Sequence, residues 1–215
     1  MTTNLLERQT HPAFGAVILA AGASSRMGKP KLVLLWGKTS VLGHLTELWQ
    51  QAGVQQIAVI HAAGDQAIGA ELDRLNFPVA DRIMNPQPER GMLSSIQCAA
   101  AWEGWNSVLT HWIVVLGDQP HLRRETLGEL IAFAISRPDK ICQPSRRGRP
   151  RHPVVLPKVI FERLKDSREE TLKQFLRNNA SAVALRELDD PGLDLDLDTP
   201  ADYEKALHLF RESSA

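Results

Sequence analysis

Apolar positions along the chain follow two different periods, and they alternate. Short runs rich in β-branched or apolar residues, bounded by Gly, Pro or Asp, lie at Phe14 to Leu19, Gln56 to His61, Val79 to Met84, Trp112 to Leu116, Lys140 to Gln143, Pro153 to Leu156 and Ala182 to Leu185. Their length and composition predict strands. Between them, apolar residues recur at helical spacing. The clearest case is Ser40 to Ala52, where Val41, Leu42, Leu45, Leu48, Trp49 and Ala52 form one stripe and Gly53 stands just past the end as a C-cap. Further helices are predicted at Ile68 to Leu75, Met92 to Ala101, Arg124 to Ile135, Val159 to Leu164, Thr171 to Arg177 and Pro200 to Phe210. Strand and helix in alternation predict an α/β fold, a mostly parallel sheet covered by helices on both faces.

Length and charge narrow the picture. A chain of 215 residues can bury one large core without splitting, so one domain is expected over 14–215, preceded by a polar tail at 1–13. Acidic and basic residues balance at 25 each, which leaves no global positive field to draw the protein onto nucleic acid or an anionic membrane. Any anion site is therefore local. Cys98 and Cys142 are far apart and fit neither a CxxC pair nor a zinc pattern. No apolar run reaches the length of a membrane span, and Met1 to His11 has no signal-peptide core, so the cytoplasm is the expected location.

The loop after the first strand, Ala20-Ala21-Gly22-Ala23-Ser24-Ser25-Arg26-Met27-Gly28-Lys29-Pro30-Lys31, is built of small residues and ends in cations. Small residues allow backbone N–H groups to approach a ligand closely, and Arg26 and Lys31 can add charge-assisted bonds to phosphate. An ordinary Gly/Ser turn would read the same way. A Walker A loop is excluded because five residues separate Gly22 from Gly28 and Pro30 follows Lys29; GxGxxG is not matched either.

Two acidic sites could hold a metal. The fourth strand run leads directly into Gly117-Asp118-Gln119-Pro120, and an Asp at the carboxyl end of such a strand points into the ligand crevice, although Asp can also simply cap a turn. Magnesium favours one or two carboxylates together with phosphate oxygens and water. In Asp194-Leu195-Asp196-Leu197-Asp198-Thr199-Pro200, an extended backbone would send the three Asp to one face and the Leu to the other. Thr199 as N-cap, Pro200 at N1 and Asp202 in the first turn start the last helix, so Asp198 reads as structural and Asp196 as the ligand. Gly91-Met92-Leu93-Ser94-Ser95 opens a helix whose free N–H groups and serine hydroxyls can meet a ribose or base, or serve only as a cap. The basic run Ser145 to Pro153, with Arg147, Arg149, Arg151 and His152, is either a solvated loop or a phosphate holder. The histidines at 44, 61, 111, 121 and 208 show no metal-ligand spacing.

Taken together these blocks resemble the MobA-like NTP-transferase superfamily, and within it the molybdenum cofactor cytidylyltransferase branch. Leu19 to Lys31 is similar to LAAGxSxRMGxxK, Gly117 to Pro120 to GDxP, Gly91 to Ile96 to GMxxSI, Asp196 to Tyr203 to DIDTPEDY, and Gly148 to Pro153 to GxxGHP, with Arg151 replacing the glycine before His152. The resemblance runs from Ala16 to about Leu207. It implies a doubly wound fold of Rossmann type and Mg²⁺-dependent transfer of CMP from CTP to molybdopterin, with Mn²⁺ as the alternative ion. Leu19, Ala20, Ala21, Gly22, Ala23, Ser24, Ser25, Arg26, Gly28, Lys31, Gly91, Ser94 and Ser95 would bind nucleotide. Arg26, Lys31 and Asp118 would be catalytic, Asp118 and Asp196 metal ligands, and Gln119, Arg149, Arg151 and His152 the acceptor's contacts. Ala21, where the guanylyl branch has glycine, favours CTP over GTP. Other readings are a different phosphorylated acceptor such as a sugar or polyol phosphate, GTP as donor, or a non-catalytic adaptor that delivers cofactor to a molybdoenzyme or works with its chaperone.

Overall fold

The computed structural model describes residues 12–22 and 29–213. The strands are β1 (Phe14–Leu19), β2 (Leu35–Trp36), β3 (Thr39–Ser40), β4 (Gln56–Ala62), β5 (Arg82–Asn85), β6 (His111–Leu116), β7 (Ile141–Arg146), β8 (Arg149–Pro150), β9 (Val154–Pro157) and β10 (Val183–Glu187). The helices are α1 (Val41–Gln51), α2 (Gln66–Arg74), α3 (Met92–Ala101), α4 (Arg124–Ile135), α5 (Lys158–Arg163), α6 (Leu172–Asn178) and α7 (Pro200–Ser213). The main sheet runs β10-β7-β9-β6-β1-β4-β5, with β8 paired to β7. Its centre is parallel: β1 pairs in register with β4 on one side and β6 on the other. Only β9, antiparallel to both β6 and β7, and the short β8 run against the rest.

Alternation along β1 builds the two layers. Phe14, Ala16 and Ile18 face a core shared with Leu42, Leu45 and Trp49 of α1, Leu127 and Leu130 of α4 and Ala206 of α7. Val17 faces the opposite core with Ile96 of α3, Phe161 of α5 and Phe175 of α6. A strand buried on both faces reads as an unbroken apolar run, which is how β1, β4 and β6 look in the sequence. Helix α1 starts where Ser40 accepts a bond from Gly43 N at 3.0 Å, and Gly53 leaves it with φ 86°, a conformation that glycine alone adopts without strain.

Two expectations are corrected. Val79 to Asp81 forms a 3₁₀ turn after Pro78, and the strand begins only at Arg82. Pro191 to Asp194 is also a 3₁₀ turn, so Asp194 does not share an extended face with Asp196 and Asp198. The β2–β3 hairpin, absent from the sequence-based expectation, closes the segment that follows the first loop. Trp36 on it packs against Tyr203 and Phe210 of α7, with ring centroids 5.9 and 5.3 Å away, and the Tyr203 hydroxyl donates to the Leu35 carbonyl. Helix α7 is itself capped reciprocally: Thr199 N donates to Asp202 Oδ2 (3.1 Å), and Asp202 N donates to Thr199 Oγ1 (3.2 Å).

Candidate active site

The carboxyl ends of β1, β4 and β6 meet at a cleft of about 560 Å³ lined by Ala21, Gly22, Lys31, Gly91, Ser95 and Asp118 among others. It lies where an open parallel sheet binds ligands. β1 and β6 come very close at its floor. A Cβ on Gly117 would stand 2.6 Å from the Leu19 carbonyl oxygen and 2.8 Å from Leu32 Cδ2, so only glycine lets β6 deliver Asp118 here.

Charge is concentrated around Asp118. Lys31 Nζ lies 2.6 Å from Asp118 Oδ2 and 3.8 Å from Asp198 Oδ1. Asp118 Oδ1 is shielded from solvent and has no hydrogen-bond partner among the described residues. The second acidic segment is stitched to this turn: Leu197 N donates to the Asp118 carbonyl (3.0 Å), Gln119 Nε2 to Asp196 Oδ1 (2.9 Å), and the buried His121 ring meets the Gly192 carbonyl through Nε2 at 3.0 Å. Burial, followed by the charge of Asp118, holds the Asp196 carboxyl above its ordinary value. Asp198 adds to that push, while Gln119 and Lys31 oppose it. Among the described residues no group of three or more His, Cys, Asp or Glu could hold a metal by itself. Asp118 and Asp196 fit an ion that takes its remaining ligands from phosphate and water, since one carboxylate oxygen is unpartnered and the two acids repel.

The nucleotide candidates divide. Leu19, Ala21, Gly22, Lys31, Gly91 and Ser95 line the cleft; Ala20 is buried in the core below it, and Ala23, Ser24, Ser25, Arg26 and Gly28 lie outside the described residues. Ser94 is turned inward, donating to the Gly91 carbonyl at 2.8 Å. The acceptor candidates lie off the cleft along the same edge. His152 follows β8, and burial pushes its ring down to about 4, against the Val114 carbonyl and the Asp118 charge, so the imidazole is neutral at neutral pH. Arg149 is exposed. Arg151 binds Asp194 Oδ1 through Nη2 (2.5 Å) and Nε (2.8 Å), and Arg146 Nη1 takes the other oxygen at 2.5 Å. The tight turn between β7 and β8, with Arg147 at φ 52°, is held by Glu187, which accepts from Arg147 N at 2.5 Å and Ser145 Oγ at 2.7 Å.

Two contributors escaped the sequence reading. Asn85, at the end of β5, is buried and bonds both Ser94 and Ser95. Asp198, read there as structural, reaches toward Lys31. The signal for Asn85 was its place at a strand's carboxyl end just before Pro86.

A parallel sheet that gathers a small-residue loop, a lysine and carboxylates at one carboxyl edge is built to handle a triphosphate, and this protein is a nucleotidyltransferase. More closely, it belongs to the MobA-like NTP transferase domain family, whose profile matches residues 16–184. Molybdenum cofactor cytidylyltransferase of Escherichia coli K12 is 27% identical over 203 residues, 93% of this chain and 98% of that protein. Nicotine blue oxidoreductase of Paenarthrobacter nicotinovorans is 27% identical over 201 residues, 87% and 93% of the two chains. The crystal structure of Rv0371c from Mycobacterium tuberculosis superposes with a TM-score of 0.71 at 27% identity, covering 92% of this chain and 98% of that one. A manganese complex of Rv0371c matches at 24% identity and a TM-score of 0.67, over 91% and 98% of the chains.

Proposed function

We propose that this protein transfers CMP from CTP to molybdopterin and releases pyrophosphate, acting as one domain over residues 14–215 in the cytoplasm. The observation that carries the reading is the convergence of Lys31, Asp118 and Asp196 at the edge of a cleft lined by Ala21, Gly22 and the start of α3. An oxygen of the acceptor phosphate attacks the α-phosphorus of the nucleotide; the new P–O bond forms as the bond to the β-phosphate oxygen breaks, and pyrophosphate departs. Such a transfer depends on positioning and charge neutralisation and needs no covalent enzyme intermediate. The loop amides, with Arg26 and Lys31, hold the triphosphate. Gly91 and Ser95 meet the nucleoside. Gln119, Arg149, Arg151 and His152 face the acceptor. Asp118 and Asp196 would hold Mg²⁺ or Mn²⁺, which supplies charge stabilisation on the phosphate oxygens. Support for a divalent ion comes from the unpartnered Asp118 oxygen and from Rv0371c having been obtained with manganese.

The test is a panel of NTPs with molybdopterin, reading pyrophosphate release and the product mass. A CMP adduct with CTP preferred in kcat/KM is the expected outcome. Preference for GTP overturns the choice of base, turnover only with another phosphorylated acceptor overturns molybdopterin, and binding without pyrophosphate release makes the protein an adaptor.

A further inference from the structure

Asn85 makes no contact with the cleft, yet its hydrogen bonds have a defined direction that passes through Ser95. Its Oδ1 accepts from Gln87 N at 2.9 Å. A carbonyl oxygen is the only end of the amide that can accept, so this bond fixes which end of the side chain is which. The Nδ2 end then gives its two protons to Ser94 Oγ and Ser95 Oγ, both at 2.9 Å. Each serine oxygen is thus already an acceptor, and each keeps a proton to give. Ser94 gives its proton back to the chain, at the Gly91 carbonyl (2.8 Å) or the Gln87 carbonyl (3.1 Å). Ser95 Oγ has no acceptor for its own proton among the described residues, and Ser95 lines the cleft.

We propose that Asn85 is a positioning residue that determines how the base is read: its bond to Ser95 Oγ holds the hydroxyl rotor with the proton directed to the cleft, so that Ser95 serves as a hydrogen-bond donor to the nucleotide. The ligand group that meets this proton is a ring nitrogen or carbonyl oxygen of a nucleobase. The inference rests on the nucleotide reading above. Without Asn85 nothing holds the rotor, and a serine in the first turns of a helix turns its proton to the carbonyl four residues back, here Gly91. The donor is then lost to the cleft although Ser95 is still present.

The experiment is calorimetric titration of the full chain, in Mg²⁺, with CTP and with inorganic tripolyphosphate, a probe that has the phosphates but no base. Asn85→Ala is expected to weaken CTP about fivefold to tenfold, the effect of one net hydrogen bond. Tripolyphosphate affinity should be unchanged. Ser95→Ala should give the same loss, the double variant should lose no more than either single one, and Ser95→Thr, which keeps the hydroxyl, should bind CTP normally. If Asn85→Ala does not fold, Asn85→Asp retains the shape and turns the donor to the serines into an acceptor, and the same loss is expected. Equal losses for CTP and tripolyphosphate, or losses that add in the double variant, overturn the proposal and leave Asn85 a purely structural group. An unsubstituted protein that binds tripolyphosphate but not CTP overturns it as well; one that binds neither removes the proposed function with it.

Discussion

Replacing Lys31 by methionine should make the protein bind a divalent metal more tightly when no nucleotide is present. The ammonium group lies 2.6 Å from Asp118 Oδ2, so an ion arriving at Asp118 meets a positive charge already seated on one of its two oxygens. Methionine keeps most of the apolar stem and removes the charge. Two unit charges 4 Å apart interact by about 1 kcal/mol in water and about 4 kcal/mol at an effective dielectric of 20. The side chains of Lys31 and Asp118 are 16% and 21% exposed and border an open cleft, which favours the lower end. A divalent ion doubles that value to about 2 kcal/mol, roughly a thirtyfold gain in affinity. Mn²⁺ binding followed by electron paramagnetic resonance reads this directly, without turnover. With CTP added the order should reverse, because Lys31 then holds the triphosphate and its loss weakens the metal–nucleotide complex. Lys31→Arg keeps the charge and should keep weak Mn²⁺ binding. A nucleotide-free Mn²⁺ affinity that is unchanged or weaker in Lys31→Met would refute the reasoning and remove the metal from Asp118.

Asp118→Asn should lower kcat by several orders of magnitude while circular dichroism and thermal melting stay close to those of the unsubstituted protein; near-normal turnover would take Asp118 out of the metal site. Arg151→Gly leaves Asp194 with one guanidinium in place of two, and steady-state kinetics should show a higher KM for the acceptor with the KM for CTP unchanged. Unchanged kinetics for both substrates would make the basic run a solvated loop. Gly117→Ala forces a methyl to within 2.6 Å of the Leu19 carbonyl, and overpacking of this kind costs about 1–3 kcal/mol, visible as a lower Tm in a thermal melt.

Much of this architecture was legible because the central strands are buried on both faces. Apolar runs at β1 and β6 and the stripe of α1 are local signals that tertiary contacts reinforce, and the expected ranges for α3 and α4 coincide with the helices observed. What failed was non-local or depended on backbone detail. Nothing in Val154 to Pro157 records that β9 runs against its neighbours, because the period of two is the same in either direction. The alternation of Asp and Leu after residue 192 looked extended. The turn begun by Pro191 and fixed by the Asp190 carboxylate on Gly192 N at 2.8 Å rotated Asp194 away to the arginines. In the candidate site, the chemistry of the motif blocks and their family resemblance pointed to Lys31, Asp118, Asp196 and Ser95, whereas Asn85 emerged only once β5 and α3 were seen side by side.

The reversed strand β9 has a consequence for how such a protein can change. Running antiparallel between β6 and β7, β9 begins at the carboxyl edge, so residues 147–153 bridge two adjacent strands without ever leaving the side on which ligands bind. Every other neighbour of the central strands is reached by a helix that crosses a face of the sheet. A hairpin of this kind can lengthen or shorten without moving a helix, since doubling a loop costs only about 0.6 kcal/mol of closure entropy. The parallel half of the sheet has no comparable freedom: a change in a crossover there must be accommodated in the packed layers. Substitution and insertion can therefore accumulate on one flank of the edge while the flank formed by β1, β4 and α3 stays as it is.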